Sequence, residues 1–189
     1  MVGTGKVIPS KDEQEIGLPA RGYLREKPGR CVVLVDDIER DRRPQLASIF
    51  DRYRTAVDTM LSPQERSRAG VHFFANMLEA YYFANSEAVN AALKASVIPE
   101  DHPGDVEDIP HPKNELKAKH QGFDERTDGA AIVAKLNLDH VLSNPETCTF
   151  LRALIGWCVE KLPISCERYE PDLSSRYQLA QGKRAESGV

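Results

Sequence analysis

The chain has 189 residues and a formal net charge of −4 at pH 7. This length favours one well-buried domain, and the 29% charged and 41% apolar residues are typical of a globular protein rather than a disordered one. The negative charge excludes a broad attraction to nucleic acid or to an anionic membrane, so any nucleic-acid contact has to be local. The sequence contains neither a run of roughly 18 apolar residues nor a secretory signal, so we expect a cytoplasmic protein that does not enter the membrane.

The two ends of the chain differ in composition from its middle. Residues 1–30 are rich in Gly, Pro, Lys and Glu and lack sustained apolar periodicity, which predicts a flexible or partner-dependent lead-in, with ordered structure beginning near Cys31. Residues 166–189 are polar and predict a C-terminal tail. A single domain is therefore expected over residues 31–165. The cysteines lack the closely spaced pairs that zinc sites prefer.

An apolar run at residues 32–35 ends abruptly in acids, at Asp36, Asp37 and Glu39. Such a run predicts a strand buried on both faces, with the acids at its carboxyl end, where open α/β sheets bind ligands. Crowded carboxylates repel each other, and a bound Mg²⁺ is the common way to offset that repulsion. An ordinary solvated turn before a capped helix is the alternative, because acids are also favoured at helix N-termini.

An amphipathic helix is predicted after Pro44, because apolar residues recur there at steps of three and four. These residues are Leu46, Ile49, Phe50, Tyr53, Val57, Met60 and Leu61. Ser62 and Pro63 end this helix. The segment 71–84, the most apolar of the chain, predicts a second core strand that runs into a helical turn.

Glu79 is the single formal charge in that apolar segment. A buried, unpaired carboxylate is costly, so Glu79 is expected to be protonated, paired with a cation or bound to a metal. The alternative is that it points into water at the strand end. The neighbouring Tyr81 and Tyr82 can stack on bases, but in an apolar segment they are better interpreted as core residues.

The second half of the chain predicts mainly helices, after a loop at residues 99–112 that is dense in acids, histidines and prolines. Short helices are expected at residues 86–94, after Pro112, and after Thr127. A last core helix opens near Asn144, with Trp157 at its edge. Lys113, at the start of the helix after Pro112, is a candidate phosphate contact, and a surface lysine that covers apolar neighbours is the alternative.

Taken together, these segments resemble the domain-of-unknown-function family 4276, over roughly residues 31–162. The resemblance lies in residues 32–36 (VVLVD), 76–84 (NMLEAYYFA), 111–116 (HPKNEL), 127–129 (TDG) and the helix that carries Phe150. That family is similar to Toprim domains, the Mg²⁺-binding fold of topoisomerases, primases and related nucleases. The resemblance implies a small, mostly parallel sheet flanked by helices, and a role in bacterial defence against phage.

The resemblance also implies roles for individual residues. In Toprim-type sites, a glutamate on the first strand acts in acid–base or metal chemistry, and an Asp-x-Asp pair holds Mg²⁺ for phosphoryl transfer. Asp36 matches the leading aspartate, and because position 38 is Ile, Asp37 or Glu39 would take the second place. Glu79 would complete the cluster, and Lys113 would steady the phosphate of a nucleic-acid substrate.

The first-strand glutamate of that family has no convincing counterpart in the polar residues before Cys31. The chain is therefore interpreted in two ways. One is a Mg²⁺- or Mn²⁺-dependent nuclease, with a shortened N-terminus. The other is a non-catalytic interaction subunit of a defence complex, partnered with an ATPase that the resemblance implies by association.

Overall fold

Two parallel strands and eight α-helices make up the described part of the chain, residues 13–161 of a computed structural model. In chain order, the regular elements are α1 (Glu13–Glu26), β1 (Val32–Ile38), α2 (Leu46–Asp58), α3 (Pro63–Arg66), β2 (Ala69–Ala75), α4 (Ser86–Leu93), α5 (Pro112–Lys119), α6 (Thr127–Val133), α7 (Leu138–Val141) and α8 (Thr149–Lys161), with 3₁₀ helices at Arg40–Gln45, Leu78–Ala84 and Val106–Asp108. This confirms the predicted α/β class with a small parallel sheet. None of the helices in residues 13–161 combines the length and apolar character that crossing a membrane requires.

Strands β1 and β2 pair in parallel, with Val32 opposite Ala69 and Ile38 opposite Ala75. Their carboxyl ends therefore lie at the same edge of the sheet. The prediction that the first strand is buried on both faces is wrong, because Val33 is 37% exposed and β1 pairs with β2 alone among the described residues. β2 is the buried strand, since α2 and α8 both pack against it.

One hydrophobic cluster joins α1, α2 and the sheet. Its members include Ile16, Leu24, Ile38, Ile49, Phe50, Tyr53, Val57, Val71 and Phe73. The predicted apolar face of α2 is confirmed by the burial of its Leu, Ile, Phe, Tyr and Val positions. Helix α1 lies within the stretch interpreted as a lead-in, and its Ile16 and Leu24 are buried, so the described fold begins before Cys31.

A second hydrophobic cluster surrounds the 3₁₀ helix Leu78–Ala84 and the helices that follow it. Its members include Tyr81, Tyr82, Phe83, Val89, Leu116, Ile132 and Cys148. The core interpretation of Tyr81 and Tyr82 is thereby confirmed. This cluster forms a scaffold behind the carboxyl edge of the sheet.

Helix α8 packs against β2, and it buries a residue that was predicted at the edge of the helix. Trp157 is buried rather than at the edge, because it packs on Gly70 of β2. A Cβ atom at Gly70 would lie 2.8 Å from the indole ring, so the absence of a side chain there makes room for it.

Candidate functional site

A cleft of about 610 Å³ opens at the carboxyl edge of the sheet. It is lined by Glu39, Arg40 and Asp41 after β1, by Asn76 and Met77 after β2, and by Pro110 and His111 before α5. Open parallel sheets bind ligands at this edge, because the loops that leave neighbouring strands diverge there. The fold therefore brings together three loops that are far apart in the sequence.

The chain turns sharply as it leaves β2, and the turn is strained. Asn76 and Met77 have φ angles of 63° and 143°, which residues with a side chain adopt at a cost. Asn76 fixes the turn, since its Nδ2 donates to the carbonyl oxygens of Glu107 at 2.8 Å and Ile109 at 3.0 Å. Its backbone N–H donates to the Ile38 carbonyl, which extends the pairing of the strands. Strain of this kind is common where a backbone positions functional groups.

This turn brings Asp37 and Glu79 together. The backbone N–H of Leu78 donates to the Asp37 carboxylate. Asp37 as a whole is exposed, but its carboxyl group has lost part of its hydration. This desolvation and the nearby charges of Glu79 and Asp36 raise the pKa of Asp37 to about 6. Two carboxylates thus lie near each other, and the Leu78 N–H and the charge of Lys113 offset only part of their repulsion.

The other two acids of the predicted metal cluster are placed differently, and the lining of the cleft includes Glu39 but not Asp37, Glu79 or Lys113. Successive side chains of a strand point to opposite faces, so Asp36 faces α2, where its carboxylate accepts a hydrogen bond from the Tyr53 hydroxyl. Glu39 is exposed beyond the strand and lines the cleft. Of these three acids, Asp37 is therefore the one on which the charge of Glu79 is seen to act.

Lys113 lies in the first turn of α5, at the same site. Its Nζ is 2.7 Å from Oε2 of Glu125. That hydrogen bond raises the pKa of Lys113, and the charges of Glu79 and Asp37 add to the effect. The lysine is therefore close enough to both carboxylates for their charges to raise its pKa.

Tyr82 is a core residue whose hydroxyl lies near the two carboxylates, a position that its apolar surroundings in the sequence did not indicate. Burial first, and then the charges of Glu79 and Asp37, raise the pKa of its hydroxyl. A Cβ atom at Gly129 would lie 3.3 Å from that hydroxyl, so α6 closes over it. The spacing offered a signal, since Tyr82 follows Glu79 by three residues and so shares its face of a helical turn.

Two acids of the 99–112 loop, Asp105 and Glu107, make hydrogen bonds within the protein instead. Asp105 accepts from the Thr147 hydroxyl at 2.9 Å, and Glu107 accepts from the Tyr81 hydroxyl at 2.9 Å. Within residues 13–161, no group of three or more His, Cys, Asp and Glu side chains is placed to hold a metal ion. Mg²⁺ in proteins commonly takes one or two carboxylates together with water and substrate phosphate. Asp37 and Glu79 fit that smaller requirement.

Searches of protein-family models, curated proteins and solved structures found no match to this chain. The fold and the site therefore define the class of protein. It is a small α/β domain with two neighbouring carboxylates, a lysine and a buried tyrosine at the carboxyl edge of two parallel strands.

Proposed function

We propose that this protein is a Mg²⁺- or Mn²⁺-dependent phosphodiesterase of Toprim type that acts on nucleic acid in bacterial defence against phage. The observation that carries the proposal is that Asp37 and Glu79 lie near enough for the charge of Glu79 to raise the pKa of Asp37, and that both charges raise the pKa of Lys113. The resemblance to family 4276 supports the choice of reaction, and the position at the carboxyl edge of parallel strands supports the choice of site.

Each residue has a distinct part in this mechanism. Asp37 and Glu79 would hold the cation, which relieves the repulsion that raises the pKa of Asp37. The cation would supply neutralisation of the phosphate charge and orientation of the attacking water. Lys113 would donate to a phosphate oxygen. The Leu78 N–H would help to orient the Asp37 carboxylate toward the cation.

Titration calorimetry with Mn²⁺ and Mg²⁺ tests the metal site directly. We expect saturable binding in the wild type and its loss in Asp37→Asn and Glu79→Gln, with folding of each variant checked by circular dichroism. Asp36→Asn is the matched control, because the neighbouring carboxylate faces α2 and is bonded to Tyr53, and it should keep most of the affinity. Wild-type binding in Asp37→Asn would contradict the proposal.

A cleavage assay on single- and double-stranded DNA and RNA with Mn²⁺ then tests the reaction. We expect turnover to fall below detection in Asp37→Asn. In Lys113→Ala it should fall by about one to two orders of magnitude, as for the loss of a charge-assisted contact in the transition state. Metal binding without cleavage of any of these substrates would support the metal site but contradict the proposed nuclease activity.

A second candidate function is a non-catalytic interaction subunit, and the free edge of β1 favours it. The Val32 N–H donates to the Arg68 carbonyl, and the Ile38 carbonyl accepts from the Asn76 N–H. The backbone N–H and C=O groups of the even-numbered residues of β1 therefore point toward β2. The backbone groups of Val33, Val35 and Asp37 therefore point to the other edge, which no described strand covers. An added strand from a partner, such as the ATPase of a defence complex, fits such an edge. The absence of metal binding in the calorimetry would favour this function.

A further inference from the structure

The carboxylate of Glu125 bridges two lysines of α5. Its Oε2 is 2.7 Å from Nζ of Lys113, and its Oε1 accepts from Nζ of Lys117 at 2.9 Å. The two lysines are four residues apart, so they lie on the same face of the helix. Each oxygen of one carboxylate thus holds a separate ammonium group.

The position of Glu125 is fixed by the turn in which it lies. Asp124 Oδ1 accepts from the backbone N–H groups of Arg126 at 3.1 Å and Thr127 at 2.7 Å. The N–H of Asp124 in turn donates to Asp128 Oδ2 at 2.8 Å. These bonds tie the turn to the start of α6, so Glu125 is presented to the lysines by an ordered backbone on either side of it.

The bridged lysine pair adjoins the candidate site. The charges of Glu79 and Asp37, in addition to that of Glu125, raise the pKa of Lys113. A phosphate group also carries several negative oxygens that can accept from two ammonium groups at once. A carboxylate between two lysines therefore occupies the place that a phosphate bound to the same two lysines would take.

We propose that Lys113 and Lys117 form a phosphate-binding pair that Glu125 keeps closed, and that a phosphate group binds by displacing the Glu125 carboxylate. Glu125 is then an internal competitor that regulates access to the site. The use of the pair during phosphodiester cleavage rests on the proposed function, but the binding of phosphate to it does not.

The energetics permit this exchange. The side chains of Lys113, Lys117 and Glu125 are 30%, 45% and 40% exposed, so water screens their attraction. A phosphate dianion interacts with the same two cations through a larger charge. Exchange of a partly hydrated carboxylate for phosphate is therefore feasible without any rearrangement of the helix.

The test is an NMR titration with inorganic phosphate, without metal and at fixed ionic strength, that follows the backbone amides of α5. We expect Glu125→Gln to tighten phosphate binding about fivefold to tenfold, which corresponds to the loss of one or two weak ion pairs. Lys117→Gln, combined with Glu125→Gln, should abolish this gain. Glu115→Gln is the matched control, because Glu115 forms a comparable pair with Lys119 on the same helix, at 3.8 Å.

Equal phosphate affinity in the wild type and Glu125→Gln would overturn the inference, as would an equal gain in Glu115→Gln. Because no metal is present, the titration is independent of the calorimetry that tests the proposed function. Tighter phosphate binding in Glu125→Gln without any metal binding would support the phosphate pair and reject the metal-dependent enzyme. Metal binding in the calorimetry, without tighter phosphate binding in Glu125→Gln, would reject the phosphate-binding pair and leave the proposed function in place.

Discussion

Asp37 and Glu107 both have raised pKa values, about 6 and about 7, yet their surroundings are opposite. Glu107 is 2% exposed, and one of its carboxylate oxygens accepts from the Tyr81 hydroxyl at 2.9 Å and the Phe150 N–H at 2.8 Å. Asp37 lies at the open edge of the sheet, where Glu79 and Asp36 add negative charge. The Glu107 carboxyl group has its hydrogen-bond partners inside the protein, whereas in the proposed function a bound cation offsets the negative charge of Asp37.

This contrast shows that a raised pKa does not by itself mark a functional site. Burial is the main cause for both groups, and it acts on any carboxyl group that loses water. The partners distinguish them. Glu107 joins the loop before α5 to the 3₁₀ helix Leu78–Ala84, through Tyr81, and to the start of α8, through Phe150. Its role is therefore structural, and its removal should lower the stability of the fold rather than ligand binding.

The largest expected effect is the destabilisation caused by Glu107→Ala. The Tyr81 hydroxyl and the Phe150 N–H would lose their acceptor inside the core, and two unsatisfied buried donors cost about 4 kcal/mol of unfolding free energy. Urea denaturation measures this loss. Glu107→Gln is the control, because it keeps an acceptor oxygen and should lose much less. Equal stability of Glu107→Ala and the wild type would show that the network does not support the fold.

The next largest effect is a pH dependence of stability that comes from a buried histidine rather than a carboxyl group. His72 of β2 is 2% exposed, its Nδ1 has no hydrogen-bond partner among the described residues, and burial lowers its pKa to about 4. The folded state therefore binds fewer protons than the unfolded state between about pH 4 and 6.5, so stability falls as pH falls through this range, by up to about 3 kcal/mol.

Urea denaturation between pH 4 and 7 measures this dependence in the wild type and in His72→Gln. Glu107 and Asp37 act in the opposite sense, because their raised pKa values make the folded state bind more protons. The comparison is therefore made between variants at each pH. His72→Gln should lose the acid sensitivity of this group, and His102→Gln, which alters an exposed histidine, should keep it. The same acid sensitivity in His72→Gln and the wild type would exclude His72 as its source.

The smallest effect tests the Asp37 side of the comparison. Asp37→Asn removes a charge that Glu79 and Asp36 repel, so it should stabilise the metal-free protein at pH 7.5, by about 1 kcal/mol or less because solvent screens this exposed residue. Thermal unfolding in the presence of a chelator measures the gain. Asp51→Asn, on the exposed face of α2, should give none. A loss of stability in Asp37→Asn would mean that its carboxylate, like that of Glu107, serves the fold.

Much of the fold was predictable, because the strongest signals are local. The apolar period of α2, the helix start at Pro112 and the strand that leads into a helical turn all follow from neighbouring residues. The ends of the fold were harder. Helix α1 carries few apolar residues and contains Pro19, so its buried face could not be separated from a polar lead-in without knowledge of α2.

The candidate site was predictable as a set of residues but not as an arrangement. Asp37, Glu79 and Lys113 are present among the sequence candidates, and they meet at one edge of the sheet. Glu125 gave no comparable signal, and Tyr82 offered only its spacing of three residues from Glu79. One is a charged residue in a polar turn, the other is an aromatic residue in an apolar segment, and only their contacts give them a place at the site.

By itself, the sequence determined that a strand ends in acids, that a charge interrupts an apolar segment and that a lysine begins a helix. The tertiary structure decided which acid takes part. Side chains alternate along a strand whatever its surroundings, but the packing of α2 on one face sends Asp36 to Tyr53 and leaves Asp37 on the side of Glu79. That choice depends on contacts between residues far apart in the chain, which no local pattern records.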